Sequence, residues 1–198
     1  MDRNSEHPIV LKENFNVENV ETSNISTDAF ITQLCTEFPN VFKKGLGCLK
    51  DYIHNIRPIP NAKPVCSKVR SVPFAVREDM RHELQKLKAD GIIEEIEGTE
   101  WLAPVVAARK PNGNLRLCVD PRELNKNVVI DKYPLPNITD MLMLLEGSSV
   151  FSNIDLNSAY HQIMLEEHSK DLTAFITPFG TFRYTRLPFG LVSAASVF

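Results

Sequence analysis

The chain has 198 residues, 43% hydrophobic and 24% charged, with a formal net charge of -3. That balance fits one globular domain, or one and a part, and excludes a nucleic-acid binder driven by bulk positive charge. No apolar run reaches membrane-spanning length, the N-terminus is acidic rather than signal-like, and Cys35, Cys48, Cys66 and Cys118 lack zinc-site spacing, so reduced thiols and a cytoplasmic setting are expected.

Residues 1 to about 27 carry Asp2, Glu6, Glu13, Glu18 and Glu21 against Arg3 and Lys12, without hydrophobic periodicity, and are expected to be a disordered acidic leader. Phe30, Ile31, Leu34 and Phe38 then recur at helical spacing, which predicts a short helix between Thr27 and Phe42 that docks on a larger body. Pro58, Pro60, Pro64 and Pro73 mark Ile56 to Pro73 as extended chain. Val76, Met80, Leu84 and Leu87 lie about one turn apart with charges between them, predicting a helix that stops at Gly91.

Ile92 and Ile93 open a short extended segment. Two strand-like runs, Pro104 to Lys110 and Leu115 to Asp120, flank Pro111-Asn112-Gly113-Asn114, and Asn-Gly between such runs predicts a hairpin. Strand alternation sends Arg116 to the face opposite Leu115 and Leu117, and the hairpin is expected to bring Lys110 near it. Two cations at such a tip either grip a polyphosphate, Arg by its fork and Lys as a point charge, or are ordinary solvated hairpin charge. Around them Arg109, Arg122, Lys126 and Lys132 face only Asp120, Glu123 and Asp131, a local basic surface that attracts phosphate on an acidic chain.

Tyr133-Pro134-Leu135-Pro136 reads as an extended connector. Asn137 or Thr139 caps a predicted helix with Ile138, Met141, Leu142 and Leu145 on one face, closed by Gly147. A short apolar strand then ends at Asp155, with Tyr160 five residues on. A carboxylate in that place is either a helix cap or turn residue, or a metal ligand at a strand end with a flat ring beside the nucleotide the metal binds. Thr173 to Thr177 and Thr181 to Leu187 form a second predicted hairpin around Pro178-Phe179-Gly180. Pro188-Phe189-Gly190 leads into the first turns of a helix, in which Leu191, Val192, Val197 and Phe198 are expected to be poorly covered.

Taken in order, several segments resemble one family. They include Asp90-Gly91-Ile92-Ile93-Glu94, Glu100-Trp101-Leu102-Ala103-Pro104, Leu115-Arg116-Leu117-Cys118-Val119-Asp120-Pro121-Arg122-Glu123-Leu124-Asn125-Lys126 and Asp131-Lys132-Tyr133-Pro134-Leu135-Pro136. Asp155-Leu156, Tyr160-His161-Gln162-Ile163, Thr173-Ala174-Phe175 and Arg186-Leu187-Pro188-Phe189-Gly190-Leu191 follow. The set resembles the reverse transcriptase of gypsy-type LTR retrotransposon Pol polyproteins, densely from about Lys63 to Phe198 and more loosely from Phe38 to Asn61.

The resemblance implies an α+β right-hand polymerase fold: a protease-to-polymerase connector over 28–72, fingers over 73–150 and a partial palm over 151–198. Asp155 matches the first catalytic carboxylate, and Leu156 the residue whose backbone carbonyl helps bind a metal. Two Mg2+ ions, with Mn2+ as the alternative, would lower the pKa of the primer 3′-hydroxyl and stabilise the leaving pyrophosphate. Lys110 and Arg116 match residues that hold the triphosphate of a deoxynucleotide, and Tyr160 the ring beneath its sugar. Phe189 and Gly190 match the loop near nucleotide and template, and Asp120 and Arg122 match template-side positions. His161, Gln162 and Trp101 are expected to pack rather than react.

Ala159 and Ala195 stand where the family commonly has Gly and Pro. A larger departure is that the 198 residues contain no Asp-Asp pair, whereas the family completes its metal site with an aromatic-x-Asp-Asp hairpin further along. The chain is therefore expected to be inactive alone: a fragment of an RNA-directed DNA polymerase truncated before the second catalytic hairpin. The competing expectation is a host-retained, non-catalytic module that binds nucleic acid or interferes with an intact element. In the parent, the resemblance implies an RNA or DNA template-primer, deoxynucleoside triphosphates and neighbouring protease, RNase H and integrase regions as partners. Retrotransposon particles in the cytoplasm are its expected location, with no role at a membrane.

Overall fold

Residues 27–109, 113, 115–130, 137–148 and 155–197 are described by the computed structural model. They run through α1 (Thr27–Glu37), β1 (Ile53–His54), α2 (Phe74–Ala89), β2 (Ile93–Glu95), β3 (Ala103–Arg109), β4 (Leu115–Val119) and α3 (Arg122–Asn125). Then come α4 (Ile138–Met143), a 3-10 turn (Ala159–Gln162), β5 (Met164–Leu165), α5 (Glu167–Leu172), β6 (Phe175–Thr177), β7 (Gly180–Tyr184) and α6 (Ala194–Val197). The predicted leader, the hairpin tip with Lys110, the Tyr133–Pro136 connector, the apolar run before Asp155 and Phe198 lie outside the described residues.

Five strands form a mixed sheet in the order β2-β7-β6-β3-β4, and β1 and β5 form a separate parallel pair. Both predicted hairpins are present: β3 pairs antiparallel with β4, setting Ala108 opposite Arg116, and β6 pairs antiparallel with β7. The second hairpin is inserted between β2 and β3, with β6 parallel to β3. Strands from both sides of the fingers-palm division expected near Phe151 thus share one sheet.

α2 forms where the apolar spacing places it, with Met80 and Leu84 buried. Gly91 ends it at φ +64, and the Ile92 N–H donates to the Leu87 carbonyl at 2.9 Å, a closure that favours glycine because a Cβ resists positive φ. On the sheet, Phe175 packs against Phe182 and Tyr184 with ring centroids 5.8 and 5.3 Å away. Trp101 joins Ile93, Leu187 and these rings in one core, as expected for a packing residue. The outer face of β7 is fixed by Arg183, which donates to Glu94 at 2.7 Å and Asp171 at 2.6 Å and also to Glu167, tying β2 and α5 to the strand.

The proline-rich segment and the residues that lead into it are stitched to the body. The Leu49 N–H reaches the Gln162 carbonyl (2.7 Å), the Ile56 N–H the Ser169 hydroxyl (2.8 Å), and the Ser67 N–H the Leu102 carbonyl (2.8 Å). Ile56 and Val72 are buried as a result.

Burial departs from the apolar pattern in three places. α1 forms with Ile31 and Leu34 half-buried, but Phe30 and, just past its end, Phe38 remain exposed, so only part of its apolar side is covered. α4 forms as predicted behind Asn137, whose side chain accepts from the Thr139 N–H at 3.1 Å, yet none of its residues is buried, and Ile138 and Leu142 are 75% and 62% exposed. Leu191, by contrast, is 4% exposed rather than poorly covered. The Asn125 side chain accepts from the Val192 N–H at 3.0 Å and turns the chain so that Leu191 enters the core. Among the described residues no helix is long and apolar enough to cross a membrane.

Candidate nucleotide and template site

Phe189 stands at the centre of the site. The Arg116 guanidinium carbon lies 5.2 Å above its ring centroid, within cation–π range. Tyr160 and His161 both meet the ring edge-on, at centroid distances of 5.1 and 5.0 Å. Each residue arrives for a local reason. Arg116 alternates outward between inward-facing Leu115 and Leu117 on β4, as strand geometry dictates. Tyr160 and His161 are consecutive in a 3-10 turn that starts from Ser158 at φ +49, where the His161 N–H donates to the Ser158 carbonyl at 2.8 Å. Gln162 is buried and donates its side-chain amide to the Asn157 carbonyl at 2.9 Å, closing the turn that follows Asp155 and Leu156.

The cluster is cationic only through its arginines. Burial pushes the His161 imidazole down to about 4, with help from the nearby charges of Arg186 and Arg116, so at neutral pH the ring is neutral. It stacks on Tyr184, whose centroid is 6.2 Å away and whose phenol burial pushes above its ordinary range. His161 is thus a packing residue, as its sequence context suggests.

A second group lies on the α3 side. The Arg122 guanidinium donates to both Asp120 oxygens, at 2.8 and 2.7 Å, and Arg70 approaches the same carboxylate at 3.3 Å. The Arg122 hydrogen bond holds the Asp120 carboxyl at about 2, below the usual carboxylate range. Gly190 connects the two groups. It has φ +87, and a Cβ there would meet Pro121 at 3.2 Å. Asn125 clamps the same turn by donating to the Gly190 carbonyl at 2.9 Å.

Of the residues expected from sequence, Arg116, Tyr160 and Phe189 come together in one cluster. Gly190 links that cluster to Asp120 and Arg122 through Pro121. Asp155 is exposed and Leu156 half-buried, just before the turn that presents Tyr160. Lys110 lies outside the described residues. Asn125 and Arg70 were not anticipated. Asn125 does fall within a quoted motif, but its partners Gly190 and Val192 are 65 and 67 residues away, so no local pattern announces the clamp.

The Asp155 carboxylate and the Leu156 carbonyl are hard oxygen donors of the type Mg2+ prefers. Among the described residues no group of three or more His, Cys, Asp or Glu side chains converges to hold a metal. The donors fit the ion by type and supply only part of its shell.

A family model described as reverse transcriptase (RNA-dependent DNA polymerase) matches residues 108–198. The chain is 34% identical over 177 residues to the retrovirus-related Pol polyprotein from transposon 412 of Drosophila melanogaster, covering 85% of this chain and 14% of that protein. It is 36% identical over 148 residues to the Pol polyprotein from transposon gypsy of the same organism, covering 72% and 14%. The chain carries a reverse transcriptase region of an LTR-retrotransposon Pol. It spans about a seventh of the length of these relatives.

Prototype foamy virus protease-reverse transcriptase shares the fold at a TM-score of 0.72 with 20% identity, covering 89% of this chain and 24% of that one. The foamy viral protease-reverse transcriptase solved with an RNA/DNA hybrid superposes at a TM-score of 0.70 with 18% identity, covering 88% and 24%. The architecture is therefore that of a reverse transcriptase-like right-hand polymerase, represented by fingers and part of the palm. Reverse transcriptases generally use divalent metal ions.

Proposed function

We propose that this chain supplies the nucleotide- and template-facing front of an RNA-directed DNA polymerase, with fingers over 73–150 and palm from Phe151. The convergence of Arg116, Tyr160 and Phe189 carries the reading, because a phosphate-binding cation and two rings from three distant segments meet in one place. In that role Arg116 leaves the Phe189 face to take the triphosphate of an incoming deoxynucleotide, joined by Lys110. Tyr160 presents its ring under the sugar and leaves no room for a 2′-hydroxyl. Phe189 and Gly190 line the nucleotide, while Arg122, aligned by Asp120, faces the template backbone.

Asp155 and the Leu156 carbonyl would hold divalent ions (Mg2+, with Mn2+ as the alternative), which supply the charge that activates a 3′-hydroxyl and steadies pyrophosphate. One carboxylate and one carbonyl leave most of that shell to be filled. The isolated 198 residues are therefore proposed to be catalytically silent. Activity would belong to the longer Pol protein, acting in cytoplasmic particles beside protease, RNase H and integrase regions.

Two polypeptides test this: the 198 residues, and a version extended through the aromatic-x-Asp-Asp hairpin, each given a primed RNA template, deoxynucleotides and Mg2+. The extended protein is expected to elongate the primer and to lose at least about a thousandfold in rate with Asp155→Ala, as for removal of a metal ligand. Primer extension by the 198 residues above their own Asp155→Ala control would refute silence. Full activity of the extended Asp155→Ala protein would refute the site.

A further inference from the structure

Between Arg57 and Arg70 the proline-rich segment carries four cations, Arg57, Lys63, Lys68 and Arg70, and no acidic residue. All four are exposed. The fold does not leave them on a loose linker. The Val129 N–H donates to the Arg57 carbonyl at 2.8 Å, the Ile59 N–H to the Asn127 carbonyl at 2.9 Å, and the Lys63 N–H to the Asn127 side chain at 3.3 Å. Pro58 bridges antiparallel to Val128, and Cys66 parallel to Leu102. Further along, Arg70 reaches the Asp120 oxygen that Arg122 also occupies.

These contacts lay the segment alongside α3 and the residues that follow it, where Arg122 and Lys126 stand one helical turn apart. The acids that the described residues place within the group, Asp120 and Glu123, are already engaged by Arg122 and Lys126 at 2.7 Å each. Among the described residues between Arg57 and Arg70 and just after α3, the large exposed apolar side chains are aliphatic (Ile59, Val69, Val129 and Ile130), while the exposed rings of Tyr52 and Phe74 flank the segment on either side. Among the described residues no ring stands between these cations to stack on a base, so the surface offers charge without base recognition.

We propose that the 57–70 segment and α3 form one continuous cationic track that grips the phosphate backbone of the template strand, independent of its sequence. This rests on the polymerase reading, which puts Arg122 on the template side, and it extends the template contact into a segment that sequence assigns to a connector. The track is local: the chain as a whole is acidic, so attraction to a polyanion has to come from such a concentration of charge.

The test is fluorescence anisotropy of the 198-residue chain with a labelled single-stranded RNA of mixed sequence, titrated across a range of salt concentrations. The variant is K63Q/K68Q/R70Q. Its control, R81Q/K86Q/K88Q, removes two lysines and one arginine from exposed positions on α2. K63Q/K68Q alone spares the Arg70–Asp120 pair and guards against a folding defect, which thermal melting checks.

The triple variant is expected to bind about tenfold more weakly at moderate salt, with the slope of log K against log salt shallower by about 2, because each lost single-strand phosphate contact removes about 0.7. The double variant should lose about 1.4 of slope, and the α2 control should match the unsubstituted chain. Equal binding by the triple variant and the α2 control overturns the track and leaves the polymerase reading standing. If the unsubstituted chain binds no RNA even at low salt, the template-side reading falls and the track with it.

Discussion

Arg116 and Phe189 are 73 positions apart in the chain, yet the guanidinium carbon of one lies 5.2 Å over the ring centroid of the other. The pair joins β4 to the Pro188-Phe189-Gly190 turn, and it parks a cation on a ring that two further aromatic groups hold edge-on. In the extended polymerase, Phe189→Ala should leave Arg116 without its platform and open space beside Tyr160. The expected result is a rise in KM for deoxynucleotides with kcat/KM down about tenfold, a loss of about 1.4 kcal/mol of transition-state binding. Phe189→Tyr should recover most of it, because the ring face is kept. Steady-state kinetics on the two variants decide it.

Gly190 should not tolerate a side chain. Its φ of +87 already disfavours an L-residue, and the added Cβ would press on Pro121 at 3.2 Å. Gly190→Ala is expected to cost about 1–2 kcal/mol from the backbone alone, read as a lower urea midpoint at unchanged slope. Asn125→Ala should cost about as much, since it removes two hydrogen bonds that clamp the same turn.

The buried imidazole of His161 makes stability depend on pH. Its folded pKa is about 4 against an ordinary 6.5, so between those values the unfolded chain binds a proton that the folded chain refuses. Stability is then greatest above about 6.5 and falls by about 2–3 kcal/mol as the pH drops towards 4, below which this group adds no further slope. Urea denaturation at a series of pH values should show the decline. His161→Phe should flatten it over that window while keeping the contacts with Phe189 and Tyr184.

Arg183 is the hub of an ion-pair group that joins Glu94 on β2 to Glu167 and Asp171 on α5. Burial lowers its basicity, but the hydrogen bonds to Asp171, Glu94 and Glu167 outweigh that and hold its pKa above the ordinary arginine value. Arg183→Met would leave three carboxylates facing one another, with Lys170 the one cation beside them among the described residues. A loss of about 2 kcal/mol is expected, smaller than for a fully buried pair because the carboxylates are in contact with water. Added salt should shrink the deficit by screening the repulsion, which melting curves at low and high salt would show.

Local chemistry was enough to read α2, the two hairpins and the outward face of Arg116. Their signals are apolar spacing, Asn-Gly and alternation, and each acts within a few residues of the chain. The ordered motifs likewise pointed to Arg116, Tyr160 and Phe189 as one site. What sequence did not determine was neighbourhood across long separations. Nothing near Phe175 announces that β6 lies parallel to β3, because that pairing is set by packing of both strands in the shared core. The same holds for Asn125 on Gly190 and for the burial of Leu191. Periodicity marked α4 as a helix, but only the tertiary structure shows its apolar side chains uncovered, because periodicity records which face is apolar and not what lies against it. The cations of the proline-rich segment were visible as letters from the start. They became one surface with α3 only through backbone hydrogen bonds to residues around Asn127, which no local pattern encodes.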